Sequence, residues 1–259
     1  MRIDGRTQII GIVGDPTGHI RGFAEYAEAI AARGANAMYL AMHVAPAGLA
    51  PFLHGVRHVR NLAGLVLTIP HKIAGLAAAT ADESARLAGS ANMLRPTADG
   101  WEAGNCDGAG FLAAARAAGM TIADRRVQLL GAGGAGRAVA MAIAQERPAA
   151  IAVHDADRTR AEALAAALRR AVPTLDVTVS LGSSEILVNC TPIGMGRDTR
   201  LPCDPSLIPV AGAVYDIVNR PDTPLIAAAR ARGSRGEHGW SMMTAEIPLI
   251  LDWLLGPRP

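Results

Sequence analysis

The chain has 259 residues, with 25 Lys+Arg against 23 Asp+Glu, a formal charge of +2, half its residues hydrophobic and only 3% aromatic. So apolar a composition excludes a disordered chain. Near-neutral charge, with three Phe, three Trp and three Tyr, argues against nucleic acid, whose binders are basic or offer stacking platforms.

The length suits about two domains, and a core of small aliphatic side chains favours close helix-on-sheet layers. Short apolar runs alternate with Ala-rich helical stretches along the chain. Residues 9–13 read as a strand, too short for a signal peptide, followed by a helix at 21–33 and a strand at 37–42. Residues 35–56 lack charged side chains, but Asn36, His43, Pro46, Pro51 and His54 interrupt them. That stretch reads as strand, turn and helix, not as the roughly 20 apolar residues of a membrane span. Next come a strand at 62–69, helices at 74–87 and 108–118, and a strand at 127–130 leading through a glycine cluster into a helix at 136–145. Strands at 150–154, 177–180, 186–189 and 213–217 follow, with helices at 158–170, 225–232 and 245–255. Such alternation implies crossover units and mostly parallel sheets. The fold class is α/β with two domains: residues 1–105, completed by 236–259, and a doubly wound dinucleotide-binding domain over 106–235.

Gly131-Ala132-Gly133-Gly134-Ala135-Gly136 fits G-x-G-x-x-G between a strand and a helix. Gly131 permits the tight turn, Gly133 lets the backbone approach a pyrophosphate, and Gly136 lets helix and strand pack closely. The helix N-terminus then favours the diphosphate. The next strand ends in Asp155-Ala156-Asp157, near the position where a carboxylate accepts from ribose hydroxyls and repels a 2′-phosphate. NAD is therefore expected over NADP. Arg158 and Arg160 are the opposing signal, read here as helix charge paired with Glu162.

Lys72 follows an apolar strand and a proline, and Asp107 lies in a Gly-flanked turn. From spacing alone, Asp107 serves equally as a helix N-cap, and Lys72 as a surface charge. Cysteines 106, 190 and 203 form no pattern, which points to a reducing, cytoplasmic setting. The seven histidines show no metal-ligand spacing, so no metal is expected. Cys106, beside Asp107, reads either as a reactive thiol or, more simply, as a small buried residue.

Several segments together resemble the shikimate/quinate dehydrogenase family. They are Gly11-Ile12-Val13-Gly14-Asp15-Pro16 with His19, Thr68-Ile69-Pro70-His71-Lys72, Ala91-Asn92, and Asn105-Cys106-Asp107-Gly108-Ala109-Gly110-Phe111. The glycine loop, Asn189-Cys190-Thr191-Pro192-Ile193-Gly194-Met195, Tyr215-Asp216-Ile217-Val218 and Gly239-Trp240-Ser241-Met242-Met243 complete the match. The resemblance implies an N-terminal substrate domain, a Rossmann domain and an active site in the cleft. It implies that Lys72 and Asp107 are the catalytic pair, Lys72 relaying the proton of a ring hydroxyl as hydride leaves for nicotinamide. Thr68, Asn92, Asn219 and Glu246 fall on its substrate side. Thr191, Met195, Val218 and Met242 join the glycines and Asp155 on its cofactor side. Asp155-Ala156-Asp157 stands where NADP-linked members carry Asn-Arg-Thr, a second reason to expect NAD.

The sequence departs from that family mainly at substrate positions. The usual Ser-x-Ser after the histidine is Ile20-Arg21-Gly22, the Asn before the Lys motif is Val66, a Tyr is Asn219, and a Gln is Glu246. Losing both carboxylate-binding hydroxyls costs a shikimate-like ligand a few kcal/mol on the order of magnitude of unmade hydrogen bonds. Arg21 either replaces them with a bidentate grip or points to solvent. Glu246 repels a carboxylate and suits hydroxyls or an amine. The expected function is an NAD-dependent oxidoreductase acting on a ring hydroxyl of a shikimate- or quinate-like compound, with an altered pocket. The alternative is a catalytically idle NAD- or metabolite-binding sensor. The expected partner is a small cyclic alcohol, with no nucleic acid or membrane, in a monomer or homodimer.

Overall fold

The computed structural model describes residues 3–257. The chain forms two compact units, one running through Cys106 and resuming at Glu246, the other Asp107–Ala245.

The first unit contains β1 (Gln8–Gly14), α1 (Phe23–Ala32), β2 (Ala37–His43), α2 (Leu49–Val56), β3 (Leu62–Leu67), α3 (Lys72–Ala77), β4 (Thr80–Ala81), α4 (Glu83–Ala88), β5 (Met93–Thr97) and β6 (Gly100–Gly104). Its sheet runs β2-β1-β3-β5-β6-β4. β1, β2 and β3 are parallel, whereas β5 pairs antiparallel with both β3 and β6. Every residue of β3 is buried, as a central strand covered on both faces requires.

Residues 74–87 do not form the single helix expected. α3 stops at Ala77, Thr80 and Ala81 pair with β6, and Asp82 restarts the chain as α4 by accepting the Ala85 N–H at 2.8 Å. An Asp N-cap satisfies an orphan donor there, so helix propensity in the Ala run yields to a cap and a strand pairing. β5 and β6 were not expected either, because Pro96, Gly100 and Gly104 hide their alternation. Cross-strand Arg95 and Glu102 pair at 2.6 Å, and the Arg95 guanidinium lies 4.5 Å from the centre of the Trp253 ring.

The second unit contains α5 (Asp107–Ala117), β7 (Arg126–Leu130), α6 (Gly134–Gln145), β8 (Ala150–His154), α7 (Arg158–Ala171), β9 (Asp176–Thr178), β10 (Ile186–Asn189), β11 (Ala213–Asp216), α8 (Pro224–Ala231), β12 (Arg235–His238) and the start of α9 (Gly239–Leu255). All its strands are parallel, ordered β12-β11-β10-β7-β8-β9. This is the doubly wound order, with its switch point between β7 and β10.

Small residues let the layers close. A Cβ on Gly108 would meet the Ala138 carbonyl at 2.7 Å and the Ala142 Cβ at 2.8 Å, so α5 and α6 pack nearly backbone to backbone. β12 adds to β11 as a sixth strand. Residues 236–245 therefore lie in the second unit, not in the first as the sequence suggested. From Glu246 onward α9 serves the first unit, where Ile247, Ile250, Leu251 and Leu254 pack with Ile10, Ile12, Tyr26 and Ile30.

Candidate active site

In the first unit, the candidate residues gather where parallel strands end, the usual place for ligands in α/β sheets. β1 and β3 end side by side, and a Cβ on Gly14 would lie 2.6 Å from the Thr68 methyl and 3.7 Å from Ile20. The buried His71 ring bonds the Val44 carbonyl at 2.7 Å, tying the loop after β3 to the loop after β2. Lys72 follows immediately, half-buried, as the first residue of α3. Its carbonyl accepts the Ala91 N–H at 2.9 Å.

Asn92 is 2% exposed. Its Oδ1 accepts the Cys106 N–H at 3.0 Å, and its Nδ2 lies 3.3 Å from the Cys106 sulfur. It therefore fixes the turn leading to Asp107. Cys106 is buried in the first unit's core, with Asn105 beside it held by the Ser90 carbonyl and hydroxyl.

Arg21 is exposed, and its guanidinium turns back toward the Gly18 and Ile20 carbonyls. Burial first, and then the Arg21 charge, holds the neighbouring His19 imidazole below its usual pKa. Ile20 packs against the apolar core, so the position where the family carries its first serine is hydrophobic here.

In the second unit Asp107, 1% exposed, opens α5. The glycine loop leaves β7 at the switch point. Gly131 has φ +97° and lies so near Cys190 that a Cβ would sit 2.8 Å from its carbonyl carbon and oxygen. On Gly136, a Cβ would sit 1.9 Å from the Gly131 oxygen. Gly133 differs. Its φ of −73° and ψ of −170° suit any residue, and a Cβ there would meet nothing within 4 Å. No protein contact requires glycine at 133, so the loop leaves a cradle that a side chain would fill. Gly134 and Ala135 begin α6, whose first turn has no acidic residue and whose N-cap offers no side-chain bond. These features fit the diphosphate of a dinucleotide.

The other cofactor-side candidates surround a buried network. Asn189 donates to Asp216 at 2.9 Å and accepts from the Thr191 N–H and hydroxyl at 3.0 and 2.7 Å. Asp216 also accepts from the Val218 N–H at 3.1 Å and the Thr223 hydroxyl at 2.6 Å. Burial pushes its carboxyl above the usual range, against the pull of those bonds. Sequence reasoning missed Asn189, Asp216 and Thr223 as the frame that shapes this loop. The signal for Asn189 and Asp216 was a polar residue ending each of two apolar strands, whereas Thr223 caps α8. Met195 is half-buried in the same loop, and Met242 belongs to the unit's core. Asn219 donates to the Met243 sulfur at 3.4 Å, and its own Oδ1 is buried without a hydrogen-bond partner among the described residues.

A family model for the shikimate dehydrogenase substrate binding domain matches residues 12–94. A shikimate dehydrogenase (NADP(+)) of Symbiobacterium thermophilum is 36% identical, over 98% of this chain and 91% of that one. A shikimate 5-dehydrogenase from Thermus thermophilus, solved with NADP(H) and shikimate, is 30% identical with a TM-score of 0.86, covering 97% and 95% of the two chains. The ligand-free 5-ketofructose reductase of Gluconobacter sp. strain CHM43 is 27% identical with a TM-score of 0.83, covering 98% and 95%.

These relatives overturn the expectation of NAD over NADP, since the curated ones carry NADP(+) in their names. The structure explains why Asp155 misled. One of its oxygens accepts the Ala132 N–H at 2.7 Å and the other the Asp157 N–H at 2.9 Å. The carboxylate braces the glycine loop, so an acid at this position is accounted for without a ribose. Arg158 and Arg160 pair with Glu162 and Asp157 while remaining largely exposed.

Proposed function

The chain belongs to the shikimate dehydrogenase family, and from that premise we propose that it is an NADP(H)-dependent oxidoreductase acting on a ring hydroxyl, with a substrate pocket altered from that of shikimate dehydrogenase. When bound, the cofactor supplies the acceptor for the hydride. Gly131, Gly133 and Gly136 shape the loop for its diphosphate, and the exposed Arg158 and Arg160 are the cations suited to a 2′-phosphate.

One observation carries the chemistry: Lys72 is set at the carboxyl end of a buried strand, on a turn locked through His71 and Ala91. We assign Lys72 the proton of the reacting hydroxyl, which it takes as hydride leaves the carbinol carbon and returns in the reverse direction. Asp107 is the second polar group assigned to that hydroxyl. Thr68 and Asn92 line the same strand ends as Lys72. Asn92 acts by holding the turn before Asp107.

The altered pocket rests on Ile20, partly buried against the core, and on Gly22, neither of which offers a hydroxyl. Arg21 is turned onto its own loop, which weakens it as a substitute grip. Glu246 opposes a carboxylate by like charge. The 27% identity to a 5-ketofructose reductase, whose named substrate has no carboxylate, supports the same reading.

The test is a screen of NADP reduction against shikimate, quinate and carboxylate-free cyclic polyols, with NADPH oxidation by keto sugars in reverse. Lys72→Ala is expected to lose roughly 10²–10⁴-fold in kcat with cofactor affinity unchanged. NADP binding with no turnover across the panel would replace this reading with that of a sensor. Efficient shikimate turnover would remove the altered pocket.

A further inference from the structure

Five side chains among the described residues keep a buried nitrogen or oxygen without a hydrogen-bond partner, on His19, Gln128, Arg137, Ser184 and Asn219. Arg137 is the one of the five whose charge is permanent. It is half-buried, and its Nε is shielded from water with no acceptor in reach. Other arginines of this unit, Arg116, Arg125, Arg158 and Arg200, each meet a carboxylate. Among the described residues no carboxylate pairs with Arg137. A shielded cation without a partner is costly.

Its place in the fold adds to that cost. Arg137 is the fourth residue of α6, and its own N–H donates to the Gly133 carbonyl at 2.9 Å. A helix N-terminus carries partial positive charge and disfavours a cation, and the first turn of α6 holds no acidic residue to offset it. Side chains on a helix lean toward its N-terminus and cover the preceding turn. The turn beneath Arg137 starts from Gly133, where a Cβ would meet nothing within 4 Å. A guanidinium, a helix N-terminus and a cradle without a side chain thus share one turn of chain and one sign of charge.

We propose that Arg137 is a cofactor-binding residue, holding the diphosphate of the dinucleotide against the N–H groups at the start of α6. The proposal rests on the dinucleotide reading above. Two phosphate oxygens match the fork of a guanidinium, and one anion answers both the cation and the helix dipole. The diphosphate is common to NAD and NADP. Arg137 therefore sets how tightly either is held, and the choice between them is left to the cations suited to a 2′-phosphate, Arg158 and Arg160.

The experiment titrates NADP and NAD calorimetrically into wild-type protein and into Arg137→Met, which keeps an apolar stem and drops the charge. Tm is measured without cofactor. Kd should rise about tenfold or more, the loss of a hydrogen bond to a charged group, and by the same factor for both dinucleotides. Because Arg137 has no carboxylate partner within the described chain, the cofactor-free Tm should stay level or rise. Arg137→Lys, which keeps the charge without the fork, should fold like wild type and hold both dinucleotides at an intermediate Kd. An unchanged Kd for NADP in Arg137→Met overturns the proposal. So does a cofactor-free Tm that falls with the affinity, which would make Arg137 a structural support of the loop. A loss confined to NADP would place the guanidinium at the 2′-phosphate and overturn the assignment as well. A wild type that binds neither dinucleotide removes the cofactor reading and the proposal together, whereas equal binding by wild type and both variants removes the proposal alone.

Discussion

Two glycines three residues apart in the same loop should respond in opposite ways to one added methyl group. In Gly136→Ala the new Cβ would sit 1.9 Å from the Gly131 oxygen and 2.9 Å from its carbonyl carbon. Neither is the end of a flexible side chain, so the backbone of the loop or of α6 must move. Overpacking of that kind costs about 1–3 kcal/mol. At roughly 2–4 °C per kcal/mol for domains of this size, the cofactor-free protein should lose about 2–12 °C in Tm. In Gly133→Ala the Cβ meets nothing within 4 Å and the backbone is already one that alanine adopts. Loss of unfolded-state freedom should then stabilise the protein by about 0.4–1 kcal/mol, a rise of about 1–4 °C. The same methyl occupies the space left for a diphosphate, so NADP affinity should fall about tenfold or more, equivalent to about 1.4 kcal/mol. Differential scanning calorimetry without cofactor and titration with NADP measure the two effects separately. A Gly133→Ala protein that melts as low as Gly136→Ala, or that binds NADP as tightly as wild type, would refute this account of the loop.

Three further outcomes follow from other contacts. Asn92→Ala removes the acceptor of the buried Cys106 N–H and should cost about 1–3 kcal/mol, read as a fall in the denaturant midpoint, together with a loss of kcat greater than the change in cofactor affinity. Arg33→Ala frees the Asp252 carboxylate and the Gly256 carbonyl at the end of α9; hydrogen exchange should show faster opening of that last turn while the second unit stays protected. His19 has a lowered folded pKa, so the unfolded chain binds its proton at higher pH. Its contribution to stability is therefore full above about pH 6.5 and is lost as pH falls through the folded value. Arg21→Ala should raise the His19 titration seen by NMR without restoring it fully, because burial is the larger cause; no change would show that the Arg21 charge does not act on it.

The glycine loop and the strands around it were legible because their sequence carries its own reason. Ile186–Asn189 and Ala150–His154 are apolar runs that have to be buried, and the glycines between strand and helix answer a local steric demand. The helix expected over residues 74–87 failed because its Ala run is compatible with helix at every position. Only the Asp82 cap and the pairing of Thr80 and Ala81 with β6 divide it. Arg95 and Glu102 were similarly silent, since their pairing exists only once β5 and β6 are in register.

Sequence alone determined the α/β alternation and the dinucleotide loop, because spacing and residue chemistry act locally, whereas Lys72 and Asp107 stood out only through the family resemblance. Tertiary structure decided what sequence misread or left mute. Asp155 looked like a ribose acceptor until both its oxygens were found on backbone N–H groups, a matter of where two loops end in space. Tyr26 and Tyr39 lie on different elements, and nothing local in the sequence relates them. Their rings stack because α1 and the end of α9 share one apolar core with β2.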